Sequence, residues 1–189
     1  MTPRLLHLMR HGEPEGAGRL LGRTDVAATA AGIASCADQV EGLEVGAVVS
    51  SNLQRARACA GAAEAVLGQP VSVDPRWREL DFGEWDGLAP TMIDADALGR
   101  FWSDPDTNPP PGGERWSTLV ARVDEALAAL PEGPVLVITH GGAMRAALAL
   151  LCGMDQRATW VIDLPYAALL TLRVWPSDPP SAQIVALRP

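Results

Sequence analysis

The sequence lacks any apolar run close to the ~18 residues that a membrane-spanning helix needs. It also lacks the apolar stretch of a signal peptide and any cluster of basic residues. The formal net charge of the 189 residues is −8 at pH 7, which argues against nucleic acid and anionic membranes as partners. We therefore expect a cytoplasmic protein with neither a membrane nor a nucleic-acid partner.

Cysteine and histidine are scarce, with three of each in the chain. Cys36, Cys59 and Cys152 are widely spaced, odd in number, and surrounded by Ala and Leu. Buried free thiols in a reducing compartment account for this pattern better than disulfides do. Because no Cys/His spacing is typical of a metal site, we expect no metal.

Apolar segments alternate with longer Ala-rich segments along most of the chain. The pattern predicts buried strands at residues 5–9, 45–50 and 135–139, followed respectively by helices at 29–43, 52–67 and 141–151, with a further helix at 115–130. Strands that are apolar throughout and separated by helices indicate a parallel sheet covered on both faces. We predict a single domain over residues 1–189, a three-layer α/β/α sandwich with a mostly parallel central sheet.

Residues 74–113 differ in kind from the rest, because they contain six prolines and three tryptophans. This composition predicts an irregular insertion with short helical pieces, and such insertions often serve as lids or substrate loops. Near the C-terminus, segments 159–163, 167–174 and 183–187 predict strands, including a hairpin added at the sheet edge.

Charged and imidazole side chains stand where the predicted strands end. Arg10, His11 and Gly12 follow the first strand, Arg55 follows the second by one helical turn, and His140 follows the third. A lone Arg-His-Gly is usually a strand followed by a polar turn. In open α/β sheets, however, ligands bind at the carboxyl ends of the strands, where these side chains are expected to converge.

The predicted cluster suits a phosphoryl group. Arginine presents a planar fork that matches phosphoryl oxygens, and helix N-termini add backbone N–H donors. A neutral imidazole can attack phosphorus to give a phosphohistidine, while the second imidazole stabilises the transferring group. Because arginines and imidazoles supply the positive charge, we expect no cofactor.

The reaction also needs a group that protonates the leaving oxygen and activates water. Four carboxylates between Trp77 and Gly87 are candidates: Glu79, Asp81, Glu84 and Asp86. Their spacing does not choose among them, and an aromatic-rich loop with solvated acids is an equal alternative for each one.

Four sequence blocks resemble the histidine phosphatase superfamily, in its phosphoglycerate-mutase-like branch: residues 8–13, 50–56, 79–87 and 139–142. The resemblance implies a phosphoglycerate-mutase-like fold and no cofactor. It implies His11 as the phosphorylated nucleophile and Glu79 as the general acid/base, with Arg10, Arg55 and His140 binding the phosphoryl group and His140 also catalytic. Gly12, which has no side chain, is expected to let the backbone come close to the bound phosphate.

Residues 22–25, 82–87 and 111–114 are similar to the α-ribazole phosphatase group, which dephosphorylates a precursor nucleotide of cobalamin biosynthesis. Pro14 and Ala17 depart from the Thr or Ser and the Asn of many relatives. The expected function is hydrolysis of a small phosphorylated metabolite, with α-ribazole 5′-phosphate as one candidate. A phosphoglycerate mutase and a phosphate-binding protein that has lost catalysis are the alternatives. The oligomeric state stays open, with a homodimer as one option.

Overall fold

A computed structural model of the protein describes residues 2–189. Its strands are β1 (Arg4–Arg10), β2 (Ala47–Ser50), β3 (Val71–Val73), β4 (Val135–Thr139), β5 (Leu169–Trp175) and β6 (Ser181–Arg188). They form one sheet in the order β3-β2-β4-β1-β5-β6. The pairings β3-β2, β2-β4 and β4-β1 are parallel, while β5 pairs antiparallel with β1 and β6. The mostly parallel sheet and the C-terminal hairpin at its edge are confirmed.

The helices are α1 (Ala30–Val40), α2 (Gln54–Leu67), α3 (Ala95–Ser103), α4 (Trp116–Ala128) and α5 (Gly141–Cys152). Helices α1 and α2 cover one face of the sheet, and α4 and α5 cover the other. The central strand β4 is fully buried, and its side chains alternate between two cores. Leu136 and Ile138 pack with residues of α1 and α2, whereas Val135 and Val137 pack with residues of α4 and α5. The three-layer α/β/α architecture is therefore confirmed.

A helix begins where the sequence predicts if the capping side chain has no other hydrogen-bond partner. Thr29 caps α1 by accepting a hydrogen bond from the Gly32 amide at 3.0 Å. The helix predicted over residues 52–67 begins two residues later, at Gln54 after Leu53, without a side-chain cap. The reason is that Ser51 contacts His140, and Asn52 accepts a hydrogen bond from Arg78 at 2.6 Å.

The segment predicted as an insertion, residues 74–113, contains three short 3-10 helices besides α3: Pro75–Trp77, Gly83–Trp85 and Pro90–Met92. Aromatic rings anchor it, with Phe101 of α3 edge-on to Phe82 and Trp85 at centroid distances of 6.1 and 5.8 Å. The hydroxyl of Thr139 at the end of β4 donates to the Trp77 carbonyl at 2.7 Å. These contacts hold the segment over the carboxyl edge of the sheet.

The prediction of a strand at residues 159–163 is wrong, because Ala158–Val161 forms a 3-10 helix. The Thr159 hydroxyl donates to the Gln156 carbonyl at 2.6 Å, and Arg145 donates to the Thr159 carbonyl at 2.5 Å. Trp160 and Val161 are 49% and 86% exposed, so the apolar run that indicated a buried strand points outward. Within residues 2–189, no helix is long and apolar enough to cross a bilayer.

Candidate active site

The two histidines from different strand ends lie side by side. Strands β1 and β4 are neighbours in parallel register, with Arg10 opposite Thr139. The residues that follow, His11 and His140, therefore emerge at the same edge, and their ring centroids are 5.0 Å apart. His11 is 4% exposed and His140 is fully buried.

Hydrogen bonds fix the tautomer of His11. Its Nδ1 lies 2.7 Å from the Gly12 carbonyl oxygen, which can only accept, so Nδ1 carries the proton. Nε2 then keeps its lone pair, and the Nε–H of Arg55 donates to it at 3.3 Å. The geometry thus presents the nucleophilic nitrogen of a neutral imidazole next to a cation.

Both imidazoles are held in the neutral form. Burial and, after it, the positive charge of Arg55 lower the pKa of His11 to about 3. Burial also places the pKa of His140 well below its usual value, assisted by the neighbouring His11 and Arg55. At neutral pH the site therefore holds His11 as a neutral imidazole with Nε2 unprotonated, which is the form that can attack phosphorus.

Arg55 and Arg10 approach the histidines with their guanidinium groups held by carbonyls. The fully buried Arg55 donates to the carbonyls of Leu21 at 2.7 Å, Gly22 at 3.1 Å and Thr24 at 2.9 Å. Within residues 2–189 no carboxylate lies within ion-pair distance of Arg55, so its charge remains available to an anion.

Arg10 donates from Nη1 to the Leu164 carbonyl at 2.7 Å and lies over the Tyr166 ring, 4.1 Å from its centroid. Two buried nitrogens near His11 have no protein partner among residues 2–189: Arg10 Nε and His140 Nδ1. The other ring nitrogen of His140, Nε2, contacts the Ser51 hydroxyl at 2.8 Å. A buried polar atom without a partner is costly, and phosphoryl oxygens would satisfy both of these nitrogens.

Glu79 is the one of the four candidate carboxylates that lines a cavity with Arg10 and His11. Its Oε1 accepts from the Leu80 amide at 2.8 Å and its Oε2 from the Gly142 amide at 3.1 Å, at the start of α5. A Cβ atom on Gly142 would lie 2.1 Å from Glu79 Oε1. Glycine at position 142 therefore leaves the space that the carboxylate occupies.

The other three carboxylates have different surroundings. Asp81 pairs with Arg23 at 2.9 Å, and Asp86 accepts from the backbone amides of Arg23 and Thr24 at 2.7 and 2.9 Å. Glu84 is exposed. The sequence could not separate these acids because the contacts that distinguish Glu79, Asp81 and Asp86 are with residues more than 50 positions away.

The sequence predicts that Gly12 lets the backbone come close to a ligand. The structure shows a packing role for this glycine. A Cβ atom at this position would lie 2.0 Å from the Gly32 carbonyl oxygen, so the tight approach is to the backbone of α1. The Gly12 amide donates to Cys59 Sγ at 3.2 Å. Cys36 and Cys59 are buried free thiols, as predicted, and Cys152 is a half-buried one.

The cavity above the histidines has a volume of about 250 Å³. Its polar lining includes Arg10, His11 and Glu79, and its apolar lining includes Leu20, Phe82, Trp102, Trp116 and Trp160. His140 and Arg55 are fully buried and do not form part of this lining. Within the part of the chain that is described, no group of three or more His, Cys, Asp or Glu side chains could hold a metal ion.

Three side chains outside the predicted set of site residues also surround the site: Arg145, Ser51 and Arg122. Arg145 lines the cavity with its guanidinium 3.9 Å from the Trp160 ring centroid. Arg122 donates to the Glu79 carbonyl at 2.9 Å. Ser51 directly follows β2, and its position at a strand end was the one signal that could have found it.

Comparison with known proteins gives consistent matches. A sequence profile described as histidine phosphatase superfamily (branch 1) matches residues 6–185. A glucosyl-3-phosphoglycerate phosphatase of Mycolicibacterium vanbaalenii is 32% identical over 82% of this chain and 76% of its own. A Serratia proteamaculans protein named as a phosphoglycerate mutase is 33% identical over 81% of this chain and 77% of its own. The solved structure of an Escherichia coli protein named for alpha-ribazole-5′-P phosphatase activity superposes with a TM-score of 0.84 and 25% identity, covering 98% and 96% of the two chains.

Proposed function

Because the chain belongs to the histidine phosphatase superfamily, we propose that it hydrolyses a small phosphomonoester through a phosphohistidine at His11. The observation that carries this proposal is the state of the His11 ring. Its Nδ1 proton is committed to the Gly12 carbonyl, its Nε2 carries the lone pair and accepts a hydrogen bond from Arg55, and its pKa is lowered to about 3.

In the first step, His11 Nε2 attacks phosphorus and forms the N–P bond while the P–O bond to the leaving group breaks. The electron pair of that bond stays on the leaving oxygen, which takes a proton from the Glu79 carboxyl. Arg10 Nε and His140 Nδ1, which are buried and have no partner among residues 2–189, donate to the non-bridging oxygens together with Arg55.

In the second step, water attacks the phosphohistidine. The Glu79 carboxylate accepts the proton from water, and the N–P bond breaks with its electron pair returning to Nε2. Inorganic phosphate leaves and His11 is neutral again. Each group thus ends the cycle in the protonation state in which it began.

For the substrate, we propose α-ribazole 5′-phosphate as one candidate, supported by the likeness to the Escherichia coli structure and by the aromatic lining of the cavity. Trp102 lines the cavity and is 39% exposed, so a nucleotide base can stack on it, whereas Trp85 is buried and does not line it. A phosphoglycerate mutase is the second candidate, favoured by the Serratia relative. Incubation with a phosphoglycerate separates the two, because a phosphatase releases free phosphate and a mutase releases the isomer.

The third alternative is a phosphate-binding protein without catalysis. It is based on Pro14 and Ala17, the two positions near His11 that differ from many relatives. Pro14 is buried and lines the cavity, whereas Ala17 is exposed and does not. Tight phosphate binding without hydrolysis across a panel of phosphomonoesters would favour this alternative.

The proposal is tested by rapid quenching of the protein with ³²P-labelled 4-nitrophenyl phosphate. The wild type is expected to trap label in acid-labile, base-stable form, and His11→Gln is expected to trap none. His7→Gln is the matched control, because His7 is also buried but contacts Thr171 at 3.0 Å instead of the cavity. Hydrolysis by His11→Gln at the wild-type rate would refute the proposal.

A further inference from the structure

Glu79 is carried by a segment without regular secondary structure, between the 3-10 helices Pro75–Trp77 and Gly83–Trp85. Neither a strand ladder nor a helix fixes its main chain. A displacement of about 1 Å can cost an enzyme roughly 10²-fold in rate, so a proton donor on such a segment needs support from elsewhere.

That support comes from Arg122 on α4. Its Nε and Nη2 donate to the two oxygens of Glu114, both at 2.8 Å. Its Nη1 donates to the carbonyls of Arg76 at 2.6 Å and Arg78 at 2.8 Å, and Nη2 also donates to the Glu79 carbonyl at 2.9 Å. These bonds use all of the donors that a guanidinium possesses.

Glu114 extends the contact to the other side of Glu79, because its Oε2 also accepts from the Asp81 amide at 3.2 Å. The two charged side chains are 21% and 11% exposed, so solvent screens their ion pair only partly. The backbone is thereby held both before and after Glu79. Neither Arg122 nor Glu114 lines the cavity.

We propose that the Arg122–Glu114 pair positions the Glu79 carboxyl against the leaving oxygen of the substrate. Both members act through the main chain of Glu79 and are therefore positioning residues. The inference rests on the proposed function, because it requires Glu79 to be the proton donor. It adds two residues, from α4 and the preceding loop, that set the efficiency of proton transfer.

The chemistry of the first step separates positioning from simple support of the fold. When the P–O bond breaks, an alkoxide leaving group needs the Glu79 proton, whereas 2,4-dinitrophenolate is stable enough to leave without one. A misplaced Glu79 therefore slows alkyl phosphates and spares 2,4-dinitrophenyl phosphate. A fold that is loosened as a whole slows both substrates alike.

The test measures kcat/KM for phenethyl phosphate and 2,4-dinitrophenyl phosphate, because kcat/KM covers the steps up to leaving-group departure. Arg122→Gln and Glu114→Gln are expected to lose about 10- to 100-fold on phenethyl phosphate and at most about threefold on the dinitrophenyl ester. Glu79→Gln gives the reference pattern, with a loss of kcat/KM on phenethyl phosphate that is larger than the loss in the Arg122 and Glu114 variants. The double variant is expected to lose no more than the worse single variant, since both break one unit.

Arg76→Gln is the matched control. Its side chain pairs with Asp74 at 2.7 Å in the same segment and makes no hydrogen bond to Glu79, so both substrates should stay within about twofold of wild type. Arg122→Lys provides a second variant that keeps the charge but cannot bridge Glu114 and three carbonyls; it should show the same selective loss. Each assay runs well below the Tm measured for that variant.

Two results would overturn the inference: equal losses on both substrates in the Arg122 and Glu114 variants, or no loss on either. A Glu79→Gln variant that hydrolyses both esters like wild type would instead refute the proposed function, as would a wild type that hydrolyses neither. The two failures are thus distinguished by the wild type and the Glu79 reference.

Discussion

Replacing Gly142 with alanine is the smallest change that should displace the proton donor. The added Cβ would lie 2.1 Å from Glu79 Oε1, where ordinary contacts begin near 3.4 Å, so the oxygen must retreat by about 1 Å or more. The carboxylate is the flexible end of its side chain and can move at little cost to the fold. Alanine also favours a helix over glycine by up to about 1 kcal/mol, which offsets part of any strain.

We therefore expect Gly142→Ala to keep a Tm close to wild type and to lose roughly 10²-fold in kcat/KM for an alkyl phosphate. Gly141→Ala is the neighbouring comparison, because its Cβ would meet Arg10 Nε at 3.7 Å, an ordinary contact distance. The loss at Gly141 should be at least tenfold smaller than that at Gly142. Steady-state kinetics and thermal unfolding of both variants decide the matter, and wild-type turnover by Gly142→Ala would refute the reasoning.

Three further predictions concern the histidines and their support. Because the pKa of folded His11 is lowered to about 3, the unfolded state binds a proton near pH 6.5 that the folded state does not. The free energy of unfolding should therefore fall as the pH drops from about 6.5 towards 3, more steeply than in His11→Gln, as urea titrations at several pH values would show. Ser51→Ala removes the partner of His140 Nε2 and should lower the free energy of unfolding by about 1–3 kcal/mol; an unchanged urea midpoint would contradict this. Gly12→Ala places a Cβ 2.0 Å from a backbone oxygen of Gly32, which cannot rotate away, so expression of a folded variant with native circular dichroism would count against the packing described.

The sheet and its covering helices were predictable because their signals are local. Residues 5–9 are apolar except for His7, and residues 135–138 are apolar without interruption, as is typical of strands buried on both faces. The short strand β3 was missed, since three residues with one half-buried side chain carry no usable pattern. The prediction of a strand at 159–163 failed because Ala158–Val161 forms a 3-10 helix with Trp160 and Val161 exposed. The Thr159 carbonyl of that helix is bound by Arg145, which lies 14 positions earlier in the chain.

The site was predictable in its histidines and arginines but not in its carboxylate. His11 and His140 stand directly after buried strands, and parallel neighbours bring such positions together. Selecting Glu79 from residue properties alone would require knowing that the Gly142 amide, 63 positions away, binds its carboxylate. The hydrogen bonds from Arg122 to three carbonyls could not be predicted either, because every residue has a backbone carbonyl and the sequence does not distinguish one from another.

The central claim is a double displacement through His11, and the stereochemistry at phosphorus tests it most directly. The measurement uses a phosphomonoester made chiral at phosphorus with ¹⁶O, ¹⁷O and ¹⁸O. The wild-type protein transfers its phosphoryl group to an alcohol acceptor in place of water, so that the configuration of the product can be read. Two successive in-line displacements, first by His11 Nε2 and then by the acceptor, predict retention of configuration. Inversion would mean a single direct displacement and would contradict a phosphohistidine intermediate.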